Sequence, residues 1–223
     1  MRILLYSGGI DSLIAWYYLG KPQRLYVDLG TRYSRKEFDS LEEYSPNSGS
    51  VLYRAHKGWG RYETEDAWVP MRNMLLIMVA ASEGADYIYL VAQKGEQSIP
   101  DRKPEFFTRV QTFVSEQHDR PIMVSPVFPD MDKVAMVHWY MSQGLPIRDL
   151  IKAFSCYSSD APCGQCSACW RKFIALEANG IRCEQIFNHD IRAWGTEHYL
   201  PRMDEYSQER QEAMAKVMGW DIQ

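Results

Sequence analysis

The sequence predicts a doubly wound α/β fold with a mostly parallel, Rossmann-like sheet and a small cysteine-rich region toward the C-terminus. Three observations predict it. Short apolar, β-prone runs alternate with stretches of helical spacing. The first such run breaks at paired glycines directly before a helix, as the first turn of a nucleotide-binding βαβ unit does. Four cysteines crowd between Cys156 and Cys169.

Arg2 to Tyr6 reads as a first strand, broken by Ser7-Gly8-Gly9. Asp11 to Leu19 then shows helical spacing through Leu13, Ile14, Tyr17 and Tyr18 until Gly20 and Pro22 stop it. Arg24 to Leu29 resumes as a second strand, and a parallel pair joined by a helix is the economical arrangement. A long helical pattern covers Asp66 to Glu83 with a start at Pro70, Gly84 ends it, and Tyr87 to Ala92 fits a buried parallel strand. Pro104 to Glu116 is a helix, Ile122 to Val127 a strand, and Lys133 to Ser142 and Ile147 to Ala153 are helices. Ala161 to Cys169 reads as loop. Beyond Gly180 the periodicity weakens, until a terminal helix over Asp204 to Met218. There is no internal repeat and no low-complexity linker. The expected organisation is an α/β domain over 1–153, a four-cysteine region over 154–180 and a C-terminal extension over 181–223.

A chain of 223 residues buries enough surface to fold without disulfides. Its hydrophobic fraction of 46% and charged fraction of 24% are ordinary for a globular protein. No apolar run approaches the ~20 residues of a membrane span. The apolar start is too short for a signal peptide, so the expected compartment is the cytoplasm. A formal net charge of -4 argues against a dedicated nucleic-acid binder, so no stable nucleic-acid partner and no membrane partner is expected. Arg24, Arg32, Arg35 and Lys36 form a local basic cluster, read as a solvated surface. With five cysteines, four of them clustered, a metal site is a better reading than a disulfide framework.

Ser7-Gly8-Gly9-Ile10-Asp11-Ser12 stands where the first strand hands over to the first helix. Glycines there admit unusual dihedrals and close backbone approach, and the helix N-terminus offers free N–H groups to a phosphate. Ser7 and Ser12 add hydroxyls, and Asp11 is placed to cap the helix or hold a metal ion. The bland alternative is a tight turn with a serine cap. No Gly-Lys-Ser/Thr follows, so this is not a Walker A loop. Cys156, Cys163, Cys166 and Cys169 have the compact spacing of a closed tetrahedral zinc site, with Gly164 letting the chain turn around the metal. An iron–sulfur cluster uses similar spacing, and zinc is the preferred reading. Cys183 reads as a small buried hydrophobe. Arg72 and Asn73 open the long helix and are candidates for phosphate or nucleoside contact, against a capping role. Pro100 and Asp101 follow a strand whose carboxyl end should face ligand, against an ordinary loop before a helix.

In order and approximate spacing these features resemble the 7-cyano-7-deazaguanine synthase family. The match comprises Ser7 to Ser12, Gly30 with Glu37, Val69-Pro70-Met71-Arg72-Asn73, Pro100-Asp101 before Glu105-Phe106, Lys133, Ser155-Cys156-Tyr157, and the remaining cysteines followed by Arg171. The first loop is similar to the PP-loop of ATP pyrophosphatases, which cleave ATP between the α- and β-phosphates. The resemblance implies an adenine nucleotide alpha hydrolase-like fold and an ATP-dependent carbon–nitrogen ligase, with magnesium on the phosphates, structural zinc and a homodimer. The implied substrates are 7-carboxy-7-deazaguanine and ammonia. The carboxylate is adenylated, ammonia displaces AMP to give an amide, and a second activation dehydrates the amide to the nitrile. Catalytic roles then fall to Ser7, Asp11, Ser12, Arg72 and Lys133. The nucleotide lies on Ser7, Gly8, Gly9, Ile10, Asp11, Ser12, Arg72 and Asn73, and the base on Gln93, Glu96, Pro100 and Asp101. There are departures. The family has glycine at the position of Met71, asparagine and aspartate in the stretch that holds Gln93 and Glu96, and Tyr-Pro-Asp-Cys in place of Ile99-Pro100-Asp101-Arg102. These bear on the substrate more than on adenylation. The weighed alternatives are an adenylating enzyme that stops at the amide or modifies a tRNA base or protein, and a non-catalytic zinc-ribbon interaction module.

Overall fold

The computed structural model describes residues 1–44, 51–65, 67–96, 99–158 and 161–221. The expected helix start at Asp66, and Gln97 and Ser98 beside the expected base-binding residues, lie outside the described residues, as do Ser159, Asp160, Ile222 and Gln223. The chain divides into two compact units, Met1–Asp130 and Met131–Gln223.

The first unit is a five-stranded, all-parallel, Rossmann-like sheet of β1 (Arg2–Leu5), β2 (Gln23–Asp28), β3 (Val51–Ala55), β4 (Tyr87–Val91) and β5 (Met123–Val127), in the order β3-β2-β1-β4-β5. The register pairs Ile3 with Gln23 and with Ile88, Arg24 with Val51, and Ile88 with Val124. Connecting helices are α1 (Ile10–Tyr18), α2 (Ser34–Tyr44), α3 (Arg72–Ser82) and α4 (Pro104–Gln117). Strands covered by helices on both sides read as near-continuous apolar runs, as β1 and β2 do. Ile3, Leu5, Leu25, Val27, Ile88, Leu90 and Val124 form the core with Ile77, Ala80 and Ala81 of α3 and Phe107, Val110 and Val114 of α4.

Sequence periodicity locates four of the five strands within a residue or two of each end. It passes over α2 and β3 altogether, because α2 is mostly polar and β3 is an edge strand with two exposed residues among five. The expected long helix is shorter than its pattern, beginning at Arg72 because Met71 sits in the left-handed region with φ 59°. Arg24 is a correction. It is 1% exposed, not on a solvated surface, and its guanidinium lies 4.5 Å from the Trp16 ring centroid and 5.2 Å from that of Tyr6. Cation–π contact with two flanking aromatics offsets part of the cost of burying the charge. Arg32 and Arg35 are exposed as expected, and Lys36 is half-buried.

The second unit is helical, with α5 (Lys133–Ser142), α6 (Ile147–Lys152), α7 (Ser167–Ala178), α8 (Ile191–Tyr199) and α9 (Gln208–Met218). α5 and α9 both pack on α7. The segment expected to be loop from Ala161 to Cys169 already enters α7 at Ser167, and the expected terminal helix from Asp204 begins at Gln208 behind a 3-10 turn over Leu200–Glu205. No helix among the described residues is long and apolar enough to cross a membrane.

Candidate functional site

Because every strand is parallel, all the loops that leave carboxyl ends lie on one edge of the sheet. The chain runs outward from β1 to β2 and β3, then returns to the other side of β1 for β4 and β5. The crevice between β1 and β4 is therefore the topological switch point where open α/β sheets take ligands. The two connections that leave these strands carry Ser7–Ser12 and, among the described residues, Gln93, Glu96, Pro100 and Asp101, which the sequence singles out.

In the first loop Gly8 has φ 75°, a conformation that L side chains rarely adopt, and a Cβ there would lie 3.2 Å from Ser40 Oγ. Gly9 caps α1 without a side chain, leaving the helix N-terminus open. Gly9 N donates to Ser7 Oγ at 3.4 Å, Ser12 Oγ donates to the Gly9 carbonyl at 2.9 Å, and the two serine hydroxyls are 3.5 Å apart. Ser7 and Ser12 thus share one small cradle, with Asp11 in the first turn of α1 and Ile10 buried beneath it. The free N–H groups, the dipole end and the hydroxyls suit a phosphate.

Arg72 opens α3 and donates from Nη1 to the Tyr33 hydroxyl at 3.3 Å. Around it stand Glu37 and Tyr26, whose hydroxyl is 3.0 Å from the Ser34 carbonyl and 3.2 Å from Glu37 Oε2. Burial pushes the Glu37 carboxyl up to about 8, against the opposing pull of the Arg72 guanidinium and the Tyr26 hydroxyl. An unfolded glutamate titrates near 4.5. Between those values the unfolded chain has released a proton that the folded chain keeps, so this group lowers stability as pH rises through that window. Glu37→Gln removes the effect. The melting temperature of the variant minus that of the wild type should grow between pH 5 and pH 8.5, by about 2–4 °C for each kcal/mol removed. A difference that stays flat across the same range would place the Glu37 carboxyl in water.

Asp28, at the end of β2, shows the opposite balance. Burial alone would raise it, but hydrogen bonds from the Tyr53 hydroxyl at 2.7 Å and the Gly30 N–H at 2.8 Å, with Lys57 nearby, hold it below the usual carboxylate range.

Asn73 is 2% exposed and donates from Nδ2 to the Asp101 carbonyl at 3.4 Å. Two predicted site residues are thereby brought together, with Asn73 holding the loop that carries Asp101. Pro100 starts the 3-10 turn over Pro100–Arg102. Gln93 is buried, and its N–H donates to Glu96 Oε2 at 2.9 Å. The same oxygen pairs with Arg102 Nη1. Lys133 belongs to the second unit, where it is the first residue of α5 behind the Asp132 cap. Sequence reasoning missed Tyr26, Tyr33 and the Glu96–Arg102 pair. The signal for that pair was present in two departures from the family pattern that turn out to contact each other.

Met71 is 59% exposed and holds its positive φ as the residue preceding α3. The left-handed conformation costs a non-glycine residue about 1–2 kcal/mol, partly offset by the greater freedom glycine has when unfolded. Met71→Gly should therefore raise the melting temperature by about 1–4 °C. A lower melting temperature would mean that the methionine side chain contributes more than the backbone conformation costs.

In the second unit the sulfurs of Cys156, Cys163, Cys166 and Cys169 all lie within 4.8 Å of one another. Cys163 Sγ and Cys169 Sγ are 3.9 Å apart, against about 3.8 Å for the edge of a tetrahedron with Zn–S near 2.3 Å. The N–H groups of Ser158, Gln165 and Cys169 point at the sulfurs of Cys156, Cys163 and Cys166 at 3.4, 3.3 and 3.5 Å. Such bonds stabilise thiolates and orient them. Hydrogen bonds from Cys166 and Cys169 drive the Cys156 thiol far down, whereas burial pushes Cys163 up to about 11 and contacts with Cys156 and Cys166 raise Cys169. Four thiols that cannot all ionise together are the donor set a divalent cation resolves. The residues fit zinc, and a four-sulfur shell leaves it no open position. Gly164, at φ 76°, lets the chain pass close to the His189 carbonyl. Cys183 is fully buried, as expected for a small hydrophobe.

The family model described as "Queuosine biosynthesis protein QueC" matches residues 48–180. A protein named 7-cyano-7-deazaguanine synthase from Marinobacter nauticus is 31% identical over 210 residues, covering 80% of this chain and 93% of the relative. One of the same name from Archaeoglobus fulgidus is 29% identical over 212 residues, covering 81% and 87%. Another, from Methanopyrus kandleri, is 27% identical over 222 residues, covering 80% and 95%.

Proposed function

The chain belongs to the QueC family of queuosine biosynthesis proteins, and from that premise we propose that it converts 7-carboxy-7-deazaguanine and ammonia to 7-cyano-7-deazaguanine at the expense of ATP. An enzyme with a role in queuosine biosynthesis is what the family supports. The ligase chemistry is our reading, and one observation carries it: a glycine–serine turn at an open helix N-terminus and a polar loop follow the two strands that flank the switch point of a parallel sheet.

A carboxylate is a poor electrophile, and adenylation supplies it with a leaving group. In this reading Ser7, Gly8, Gly9, Ile10 and Ser12 hold the phosphates through hydroxyls and N–H groups, where charge builds as pyrophosphate departs. Asp11, in the first turn of α1, would hold a magnesium ion, which would supply positive charge beside the phosphates. Arg72 binds phosphate oxygens, with Tyr33 fixing its guanidinium, and Asn73 sets the loop of Asp101 against the nucleotide. Gln93, Glu96, Pro100 and Asp101 receive the base, and Lys133 is assigned a catalytic role on the family resemblance. By role, 1–153 binds the nucleotide and substrate, 154–180 holds structural zinc and 181–223 is an extension. We assign the protein to the cytoplasm as a homodimer, with small molecules and no stable nucleic acid as its partners.

A second reading, adenylation that ends at the amide or passes to a tRNA base or a protein, is favoured by one observation. Glu96 is engaged by Arg102, two positions at which this chain departs from the family pattern. Exchange of labelled pyrophosphate into ATP tests the shared step. It should depend on 7-carboxy-7-deazaguanine and magnesium. Exchange with no dependence on that carboxylate would point to another acceptor, and no exchange with any carboxylate would remove adenylation.

A further inference from the structure

The C-terminal extension, beyond the part matched by the family model, meets α7 through a column of aromatic rings. Trp170 follows Cys169 directly and stacks on Trp220 at 6.1 Å and on Tyr199 at 5.1 Å, and Tyr199 stacks on Tyr206 at 5.6 Å. Arginines lie against the Tyr199 and Tyr206 rings of this column. Arg210 lies 4.2 Å over the Tyr206 ring and 5.9 Å from that of Tyr199. Arg202 lies 5.9 Å from the Tyr199 ring, and its Nη2 donates to the Tyr206 hydroxyl at 3.4 Å. Arg171, the residue after Trp170, is near enough to act electrostatically on both Tyr199 and Arg210.

Among the described residues, few of these arginines' donors have a protein acceptor. Arg171 uses Nε on the Ser167 carbonyl and Arg202 uses Nε on the His198 carbonyl. Among the described residues, none of the three forms an ion pair with a carboxylate, whereas Arg192 nearby in sequence is paired with Glu184. The carboxylate felt by Arg210 is Asp132, whose Oδ1 already accepts the Ala135 N–H at 2.8 Å as the cap of α5. Contact with the tyrosine rings restrains the guanidinium groups of Arg202 and Arg210, which lowers the cost of ordering them around an anion. A guanidinium so restrained is suited to binding a phosphate bidentately. Three like charges held around one pair of rings repel one another, and a bound anion relieves the repulsion.

The geometry points to a binding site for a compact phosphate-type oxyanion on Arg171, Arg202 and Arg210. The ligand is small rather than a long polyanion, because Asp204, Glu205 and Glu209 stand in the same stretch of chain and would repel an extended phosphodiester backbone. The site is separate in residues from the Ser7–Ser12 cradle, so the two assignments stand or fall independently.

The probe is inorganic pyrophosphate, titrated calorimetrically into full-length wild-type protein and into the R171Q/R202Q variant, with zinc content and circular dichroism as checks of folding. The wild type should show a binding event that weakens at least tenfold in the variant and with added salt, while substrate-dependent pyrophosphate exchange into ATP is retained. R202K, which keeps the charge and loses the fork, should fall between the two. If the Ser7–Ser12 assignment is wrong, the arginine-dependent event persists alone. Pyrophosphate binding equal in wild type and R171Q/R202Q overturns the proposal. Binding of a short single-stranded RNA in place of pyrophosphate, lost in the same variant, overturns the compact-anion assignment.

Discussion

Replacing Cys163 or Cys169 by serine is expected to empty the four-sulfur site and to unfold much of the second unit. Structural zinc contributes of the order of 10 kcal/mol in small closed sites, comparable to the whole stability of a domain. Here the metal would tie the chain around Cys156 and Cys163 to the start of α7, which also carries Trp170 and therefore the aromatic column of the extension. Without it, four closely placed thiols, three of them buried, lose the cation that lets them ionise together. Elemental analysis should find less than about one tenth of the wild-type zinc, on the expectation that a three-ligand site does not hold a structural ion. Circular dichroism should show a broad, low-temperature loss of helix. A variant with full zinc and an unchanged melt would contradict the assignment of these residues as its ligands.

Asp11→Asn is expected to abolish most ATP cleavage while leaving the fold intact. The substitution keeps the shape of a residue in the first turn of α1 and removes its charge. If Asp11 holds the magnesium on the phosphates, adenylation should slow about 10²–10³-fold, the range seen when a preorganised electrostatic contact to developing charge is lost. AMP formation under saturating ATP and magnesium measures it. The melting temperature should stay within about 2 °C, since substitutions that leave the packing intact stay within a few tenths of a kcal/mol. Unchanged AMP formation would free Asp11 from the metal role.

Much of this arrangement was legible in the residues before any coordinates, and for identifiable reasons. β1, β2, β4 and β5 are apolar runs bounded by glycine or proline, so local pattern alone marks them. The cysteine cluster is legible because a metal imposes its spacing on a short stretch of chain. The Ser7–Ser12 loop is legible because a strand-to-helix handover with paired glycines has few other uses. What was hidden depends on contacts distant in sequence. Arg24 is buried with Trp16 and Tyr6 against its guanidinium, and no spacing rule announces that. The raised Glu37 carboxyl depends on α2, a mostly polar helix with little apolar pattern. The left-handed Met71 left a trace, since the family places glycine there, but its meaning needed the backbone. The extension was opaque because Trp220 meets Trp170 only through the fold.

The central claim is tested most directly by incubating the purified protein with ATP, magnesium, ammonium and 7-carboxy-7-deazaguanine, and following products by mass spectrometry alongside AMP. The account predicts 7-cyano-7-deazaguanine with about two AMP per nitrile, one for each activation. Amide as the end product would confine the chemistry to the first activation and direct attention to the Glu96–Arg102 pair. Absence of both nitrile and AMP, in protein that is folded and zinc-loaded, would contradict it.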